Sequence, residues 1–460
     1  MANEIYNVSW WGSPTRNGWG NIYYLFALLS PLGDRFSDRV LADGGTVESL
    51  NCVKNADFNT ANWTYYFRVV DDKAQKVYSV LPTNGDGDFT FARSGTATRV
   101  NQSGLIETVG NNVPRLEYSD GGCPSLLLEP ERLNLQTRSE EFDNSVWSVV
   151  RSSITPNDAI SPSGLLNADK LVGTSGSSSY IFDSITVTNE SIYTISVFAK
   201  YIDKEQFLIN VFTQPGFADF NILNGTVTSN SGTVTEPKIE NYGNGWYRVS
   251  AKFTATADGG VNYGFFLNNA TNKSVHIWGA QFELGDFASS YIPTTTAIAT
   301  RSAETANGAG EASTFNDSQG VLYAEVKGFE EIPSLNGYIE ISSPSVSFTN
   351  AAVLQFRNNG DLRFYFDGIS GENIQFIDAT IDFTENNKIA VQYDSNGSNY
   401  KMFVNGVSIP RYGPSTNQSV NGLSQLNLNY GSANSFIGEV KDVRVYNNAL
   451  TDAELQALTQ

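Results

Sequence analysis

Histidine and cysteine are almost absent from this 460-residue sequence, which has one histidine, His276, and two cysteines, Cys52 and Cys123. A Ser-His-Asp triad or a site with two histidine ligands would have to include His276 or not exist. The pattern of residues 275–278 predicts that His276 is an ordinary strand residue. Two cysteines and one histidine cannot supply a zinc cage, and we interpret both cysteines as small buried hydrophobic residues. Whether a disulfide joins the two cysteines is left open, because this depends on the distance between them.

Basic residues are also scarce. The sequence has 29 Lys and Arg against 48 Asp and Glu, which gives a formal net charge of −19. A surface of this charge repels phosphate backbones, so we expect no nucleic-acid partner.

Long hydrophobic runs are missing as well. The apolar stretch 22–32 is too short to cross a bilayer, and residues 1–4 lack the cationic region of a secretory signal. We therefore expect neither membrane insertion nor an export signal, and we interpret the apolar stretch as core or packed interface.

Glycine, proline and aromatic residues are abundant instead. The chain has 40 Gly, 15 Pro and 12% aromatic residues, with 17% charged residues. This composition is typical of short strands joined by many turns, and the length suggests about three domains. We predict a mainly β protein of serial antiparallel β-sandwich domains, of jelly-roll or lectin-like type, with an aromatic-rich N-terminal segment.

Four segments follow from changes of pattern along the chain. Residues 1–80 crowd aromatics, 81–138 have short extended pieces between turns, and 139–305 and 306–460 each have the alternation of a β-sandwich. The polar and small residues of 294–318 predict a linker between the sandwiches. Predicted strands are 65–70, 193–199, 207–212, 246–253, 262–267, 275–284, 321–326, 353–356, 362–366, 380–383, 388–393, 400–404 and 436–446.

Local signals mark one hairpin and two candidate helices. Asn405-Gly406 lies between two apolar runs and predicts a tight hairpin. Thr451 and Glu454 have the spacing of a capping box and predict a short C-terminal helix. Residues 36–51 are the best early helix candidate, although two adjacent glycines interrupt them.

The N-terminal segment crowds the aromatic residues Trp10, Trp11, Trp19, Tyr23 and Tyr24. Aromatic residues bury large areas and dominate interfaces, so this segment is a candidate for docking on another subunit. Packing on its own domain is an equal alternative, because aromatics also fill cores.

Sequence motifs in the second segment carry a family resemblance. The motifs are DFTFARSGTATRVN at 88–101, GLIE at 104–107, NVPR at 112–115 and LLLEPERLN at 126–134. They resemble a module of bacteriophage fibre, head-fibre and tail proteins. There, as here, a carbohydrate-binding-like β-sandwich follows, with an ending like 276–285 and 291–294.

The two ends of the chain carry further resemblances. Residues 438–446 and 450–454 are similar to the close of concanavalin and laminin-G-like folds, and 39–48 looks like termini of structural proteins from phages of Bacteroidota. The resemblances imply a virion-attachment segment over 1–80, a small β connector over 81–138, a carbohydrate-binding-like sandwich over 139–305 and a concanavalin/laminin-G-like sandwich over 306–460. They imply scaffolds and binders, so we predict no catalytic residue, no metal site and no cofactor.

Aromatic side chains are the candidates for sugar contact, because sugar rings stack on aromatic faces. In the third segment these are Trp246, Tyr247, Trp278 and Tyr291, although core packing is favoured for the two tryptophans. In the last segment Tyr412 and Tyr430 lie near loops, where ligands bind more often.

Two groups of acidic residues are candidates for metal binding or catalysis. Residues 84–88 superficially resemble a calcium loop, but the EF-hand glutamate is missing and a plain turn is favoured. Asp378, Asp382 and Glu385 flank the predicted strand 380–383, and we interpret them as solvated faces.

The leading hypothesis is therefore a non-enzymatic virion structural protein, a fibre or decoration subunit on head or tail. Its expected location is the surface of the phage particle. Its expected partners are capsid or tail proteins through the N-terminal segment, a host-surface glycan, and copies of itself in a trimer. Alternatives are a virion-associated polysaccharide depolymerase and a secreted bacterial carbohydrate-binding protein.

Overall fold

A computed structural model gives the fold of the protein. It describes residues 74–78, 81–82, 88–118, 124–330, 336–343, 350–367, 373–394, 399–412, 420–429 and 435–460, together with the backbone of four earlier strands. The predictions for the N-terminal aromatic residues, the helix at 36–51, the two cysteine side chains, most of the turn at 84–88 and Tyr430 lie outside the described residues.

The described residues form strands and one helix. Up to residue 150 the strands are β1 (Glu4–Asn7), β2 (Tyr24–Leu28), β3 (Asn51–Cys52), β4 (Tyr65–Val69), β5 (Lys76–Tyr78), β6 (Thr90–Ala92), β7 (Ala97–Val100), β8 (Ile106–Val109), β9 (Arg115–Glu117), β10 (Ser125–Leu128), β11 (Arg132–Asn134) and β12 (Ser148–Val150). The next strands are β13 (Ser152–Ile160), β14 (Leu166–Gly173), β15 (Ser179–Val187), β16 (Ile192–Tyr201), β17 (Gln206–Val211), β18 (Gly216–Asn221), β19 (Thr226–Gly232), β20 (Val234–Asn241), β21 (Trp246–Thr254), β22 (Gly259–Leu267), β23 (Lys273–Leu284), β24 (Ala299–Arg301) and β25 (Thr305–Asn307).

The last part of the chain continues this pattern and ends in a helix. It contains β26 (Gln319–Lys327), β27 (Gly337–Ser342), β28 (Ala351–Phe356), β29 (Leu362–Asp367), β30 (Asn373–Asp378), β31 (Asn387–Asp394), β32 (Lys401–Val404), β33 (Val407–Ile409), β34 (Arg411–Tyr412), β35 (Gln425–Asn427), β36 (Gly438–Tyr446) and α1 (Asp452–Thr459). The mainly β, antiparallel sandwich fold is confirmed. Among the described residues, no helix is long and apolar enough to cross a membrane.

The chain divides into two compact units. Unit 1 contains Met1–Arg93, Asn112–Pro130 and Glu304–Gln460, and unit 2 contains Ser94–Asn111 and Glu131–Ala303. The segment 81–138, for which the sequence predicts a separate connector, is divided between them: β6, β9 and β10 belong to unit 1, and β7, β8 and β11 to unit 2. Strands β9 and β10 extend a sheet of unit 1 and β11 extends a sheet of unit 2, whereas β6 pairs with β25 and β7 pairs with β8 in two-stranded sheets.

Unit 1 is a sandwich of two antiparallel sheets. One has the strand order β33-β32-β31-β26-β36-β10-β9, with β5 also on β36, and the other has the order β34-β30-β29-β28-β27-β35. Their inward side chains share one core, which includes Leu322, Ile339, Leu354 and Phe364. Alternation along each strand puts every second residue into this core, as the sequence predicts.

Unit 2 is a second sandwich. One sheet has the order β13-β14-β23-β16-β21-β20, with β11 on β23 and β24 on β11, and the other has the order β12-β15-β22-β17-β18-β19. Ile181, Ile195, Phe265 and Phe282 lie in the core between them. This unit corresponds to most of the predicted sandwich at 139–305.

The predicted linker at 294–318 contains strands. In it, β24 pairs with β11 and β25 pairs with β6. The small side chains Ala306 and Ala309 are fully buried there. The small and polar residues of this stretch therefore form paired strands rather than a linker. The boundary between the two units does fall inside the stretch, before Glu304.

The two clearest local signals are confirmed. Asn405 and Gly406 both have positive φ, 49° and 79°, between the paired strands β32 and β33, as a tight hairpin turn requires. The Thr451 hydroxyl accepts from the Glu454 amide while the Glu454 carboxylate accepts from the Thr451 amide, which is the predicted capping box.

Candidate functional site

The two tryptophans of unit 2 are core residues. Trp246 and Trp278 are 2% and 1% exposed, and the Trp246 indole donates to the Ile160 carbonyl at 3.1 Å. Tyr291 is buried in the same cluster, where its hydroxyl lies 2.7 Å from the Ser139 hydroxyl. Tyr247 is half-buried against the main core. The preference for core packing of the tryptophans is confirmed, and this cluster offers no free ring face to a sugar.

His276 is a strand residue of β23, as predicted. Its Nε2 lies 2.9 Å from an Asp158 carboxylate oxygen. This hydrogen bond is the main cause that lowers the pKa of Asp158, with help from Lys170. Among the described residues, no group of three or more His, Cys, Asp and Glu side chains is arranged to hold a metal ion.

The acidic residues Asp378, Asp382 and Glu385 do not surround a strand. The predicted strand 380–383 is wrong, because β30 ends at Asp378 and a turn follows. The Asp378 carboxylate accepts from the Thr380 amide at 2.8 Å, and Asp382 accepts from the Thr384 amide at the same distance. Such bonds stabilise turns in place of strand pairing. Asp382 and Glu385 are exposed, but Asp378 is buried, so its interpretation as a solvated face is also wrong.

The residues that carry the phage-type resemblance build the interior of the fold. In unit 1, Arg93 and Arg115 both pair with Glu304, and Arg115 also pairs with Glu129 at 2.7 Å. In unit 2, the Asn134 amide donates to two backbone carbonyls and accepts from two backbone amides. These motifs are therefore structural, and the site must be sought elsewhere.

Tyr412 leads to a different kind of surface. It is 64% exposed at the edge of the second sheet of unit 1. Cross-strand pairing places one row of outward side chains across this sheet, and a second row lies beside it. The first row is Tyr412, Gln375, Tyr365, Val353, Glu340 and Asn427, and the second is Ile377, Arg363, Gln355 and Tyr338. We call these two rows the Tyr412 face.

Aromatic, guanidinium and amide groups contact one another on the Tyr412 face. The Arg363 guanidinium lies 4.6 Å from the centre of the Tyr365 ring. The Gln355 amide donates to the Tyr338 hydroxyl at 2.9 Å. The Gln355 Oε1 atom is buried, in a residue 7% exposed, and has no hydrogen-bond partner within the described part of the chain. An unpaired buried acceptor lowers the stability of a fold by about 1 to 3 kcal/mol. A ligand that donates a hydrogen bond to this atom would therefore be stabilised.

Glu340 is the carboxylate of the Tyr412 face. Its Oε1 accepts from the Ser342 hydroxyl and the Asn427 amide, both at the long distance of 3.3 Å. Burial is the main cause that raises the pKa of Glu340 to about 6, and the two hydrogen bonds oppose this shift. The Glu340 carboxyl group therefore ionises at a pH at which most glutamate side chains are already ionised.

The chemistry of this face suits a polyhydroxylated ligand. Tyr412 offers ring surface, on which the C–H faces of sugars pack, whereas Tyr365 is buried beneath Arg363. Gln355 and Glu340 are 7% and 6% exposed and carry acceptor oxygens for hydroxyl donors. A few polar groups beside aromatic side chains are typical of small-ligand sites.

Comparison with known proteins agrees with the fold of this domain. Residues 334–456 match the protein family described as the concanavalin A-like lectin/glucanases superfamily. The concanavalin and laminin-G-like character predicted for the last domain is thereby confirmed. No curated protein matches the sequence significantly.

Several solved structures are similar to part of the chain. The CBM40 domain of the Ruminococcus gnavus IT-sialidase has 18% identity over 34% of this chain and 94% of its own, with a TM-score of 0.28. The NanB sialidase of Streptococcus pneumoniae has 17% identity over 32% of this chain and 24% of its own, with a TM-score of 0.27. Domain 4 of the arabinanase AbnA from Geobacillus stearothermophilus has 14% identity over 38% of this chain and 82% of its own, with a TM-score of 0.23. These likenesses assign no function to this chain.

Sequence reasoning found Tyr412 but missed the rest of the face. A signal was present in Leu362-Arg-Phe-Tyr-Phe-Asp367, where inward Leu362, Phe364 and Phe366 alternate with outward Arg363 and Tyr365. The neighbours in the row come from strands that are distant in the sequence, so only strand order and register bring them together.

Proposed function

We propose that the protein is a non-enzymatic structural subunit of a bacteriophage particle, a fibre or decoration protein that binds a host-surface glycan. The Tyr412 face carries the glycan-binding part of this proposal, because it combines exposed ring surface with a buried, unpaired acceptor at Gln355. The match of residues 334–456 to a lectin-containing superfamily supports it.

The particle role is supported by the sequence motifs at 88–134 and by the presence of two β-sandwich units. In this proposal the aromatic-rich segment 1–80 docks on a capsid or tail protein, and the subunit assembles as a trimer. A trimer suits the closed cyclic symmetry that most soluble homo-oligomers adopt.

Glycan binding is tested with the full chain and polysaccharide extracted from host cells. Tyr412→Ala removes ring surface with little cost in stability, since the side chain is mostly exposed. We expect affinity to fall about fivefold, the value of roughly 1 kcal/mol of aromatic contact. Tyr201→Ala removes an exposed tyrosine of unit 2 and serves as the matched control. Equal affinity of Tyr412→Ala and the control would reject the Tyr412 face as the site.

The particle role is tested by gold-labelled antibodies against the chain on purified phage particles. We expect label at the particle surface, and we expect deletion of residues 1–30 to abolish incorporation while both sandwiches stay folded. Label that is confined to the host culture medium would favour the secreted carbohydrate-binding protein, and unchanged incorporation would reject the docking role of the segment.

One observation favours a polysaccharide depolymerase as the second candidate. The raised pKa of Glu340, about 6, is a property of carboxyl groups that act as general acids. A glycosidase of the usual kind needs a second carboxylate across the scissile bond. Binding without cleavage therefore remains our proposal, and an assay for new reducing ends separates the two.

A further inference from the structure

Unit 2 has an aromatic surface on the side of a sheet that faces away from its core. In strands β15 and β22, Ile181 and Phe265 point into the core, so their neighbours Tyr180, Phe182 and Phe266 point outward. Outward faces of antiparallel sheets are normally polar. This surface is therefore an exception that needs an explanation.

The outward rings form one contiguous cluster. Tyr180 and Phe266 are directly paired across the strands and stack with ring centres 4.1 Å apart and planes 5° apart. Phe212, which follows β17, meets the Phe182 ring edge to face at 5.3 Å. Tyr180, Phe182 and Phe212 are half-buried, so part of each ring remains open to a ligand. We call Tyr180, Phe182, Phe212 and Phe266 the Phe182 face.

A buried carboxylate lies in the same cross-strand row. Phe266 pairs with Leu208, and Leu208 pairs with Asp219, so Asp219 lies two strands away from Phe266. Neighbouring strands are about 4.8 Å apart, which places it roughly 10 Å from the ring cluster along the row. This span is short enough for a single oligosaccharide to touch both.

Asp219 has one satisfied and one unsatisfied oxygen. Oδ2 accepts from the Gln206 amide at 2.6 Å, whereas Oδ1 is buried and has no hydrogen-bond partner within the described residues. The residue is 7% exposed, and burial raises its pKa against the effects of the Gln206 side chain, the Lys204 charge and the Phe220 backbone amide. A buried carboxylate oxygen without a donor is unfavourable, so a ligand that brings a donor is stabilised here.

We propose that the Phe182 face is a second glycan site, which binds a neutral oligosaccharide with its ring faces on Phe182 and Phe212 and a hydroxyl donated to Asp219 Oδ1. An apolar protein partner would bury that carboxylate without supplying a donor, whereas a sugar offers both C–H faces and hydroxyl groups. Acidic sugars are disfavoured, because their carboxylates meet Asp219 on a chain of net charge −19.

In the described part of the chain a cation, Arg151, contacts the ring cluster, but it does not reverse this preference. The Arg151 guanidinium lies 5.8 Å from the Tyr180 ring centre, and its Nε donates to the Ser178 carbonyl. It is exposed and lies at the opposite end of the row from Asp219, so solvent screens its attraction for an anion.

The test uses the full chain with Tyr412→Ala as background, so that the first site is weakened. Probes are cellohexaose and a mannose hexasaccharide, with a hexamer of galacturonic acid as the acidic probe, in titration calorimetry. We expect binding of at least one neutral hexamer and weaker binding of the acidic one. Phe182→Ala should weaken neutral binding about fivefold, and Tyr201→Ala should leave it unchanged. Asp219→Asn should reduce the preference for the neutral probe by about tenfold.

Three outcomes overturn the proposal: no binding of either neutral hexamer, equal affinity of Phe182→Ala and its background, or a higher affinity for the acidic hexamer. A dimer in light scattering that Phe182→Ala dissociates also overturns it, because a second copy of the chain is then the occupant. Failure here is separable from failure of the proposed function, since the two variants alter different units: Tyr412→Ala is compared with the unmodified chain, and Phe182→Ala is compared with its Tyr412→Ala background.

Discussion

Arg115 and Glu304 form a two-point ion pair in the interior of unit 1, although 189 residues separate them in the sequence. The Arg115 Nε donates to Glu304 Oε1 at 2.8 Å, and one terminal nitrogen donates to the other carboxylate oxygen. Arg93 donates to the same carboxylate at 2.7 Å, and the Glu129 amide donates to it at 3.0 Å. Three residues that are distant in the sequence from Glu304 therefore make four hydrogen bonds to one buried carboxylate.

Glu304→Gln should destabilise unit 1. It leaves two fully buried guanidinium groups with one fewer negative partner, and breaking a buried ion pair typically costs about 3 to 5 kcal/mol. Hydrogen exchange read by mass spectrometry should show faster exchange in the strands of unit 1, with unit 2 unchanged. The control is Glu107→Gln, which removes a half-exposed pair with Arg99 and should cost less than about 1 kcal/mol. Equal effects of the two variants would contradict the structural role of this network.

Asn134→Ala should destabilise unit 2 by about 3 kcal/mol or more. The side chain donates to the Ala280 and Ile292 carbonyls at 3.2 and 2.8 Å and accepts from the Gln136 and Phe282 amides. Alanine leaves these buried groups unpaired, at about 1 to 3 kcal/mol for each that finds no other partner. Urea unfolding followed by tryptophan fluorescence measures the loss, and Asn189→Ala at an exposed turn is the control. A loss within 0.5 kcal/mol of that control, roughly the surface-mutation range, would show that the groups find other partners.

Glu340 should make stability depend on pH. Its pKa in the folded state, about 6, lies above the ordinary value of 4.5, so the folded protein holds the proton more tightly than the unfolded chain. The stabilisation from this proton is complete below about pH 4.5 and is lost as the pH rises through about 6. Glu340→Gln removes this loss, so it should stabilise the protein by about 1 to 2 kcal/mol at pH 7.5 and by nothing at pH 4.

Thermal unfolding at a series of pH values measures this difference. Glu385→Gln, at an exposed turn, is the control. Its effect on the unfolding temperature should be small and the same at every pH. Asp169 also has a pKa raised to about 6, chiefly by burial, so part of the pH dependence should remain in the Glu340→Gln variant. If Glu340→Gln were less stable than the unmodified protein at pH 7.5, the ionised Glu340 would be stabilising and this prediction would be wrong.

Much of the fold is predictable from the sequence because its signals are local. Alternation of apolar and polar residues gives strands such as β16 and β26, and Asn405-Gly406 fixes a hairpin because both positions need positive φ. The C-terminal helix is likewise marked by Thr451 and Glu454 within one turn.

The site is less predictable because its geometry is long-range. Glu340 and Tyr365 belong to strands whose neighbours are set by the sheet order, which alternation alone does not reveal. Trp246 and Tyr412 are both aromatic residues in or beside strands, yet one is 2% and the other 64% exposed. Both rings lie on the side of a sheet that faces away from its main core, and Trp246 is buried because it belongs to a second cluster with Val100 and Ile106, which are distant in the sequence.

The last prediction is that the purified chain does not hydrolyse the glycan that it binds. Glu340 has the raised pKa of a general acid, but its described contacts on the Tyr412 face are Ser342 and Asn427 rather than a second carboxylate. Glycoside hydrolysis normally uses two carboxyl groups about 5 to 10 Å apart, one as acid and one as base or nucleophile. Incubation with host polysaccharide should therefore release no new reducing ends at pH 5 to 7, while binding persists. Release of reducing ends that Glu340→Gln abolishes, with binding retained, would establish the depolymerase instead.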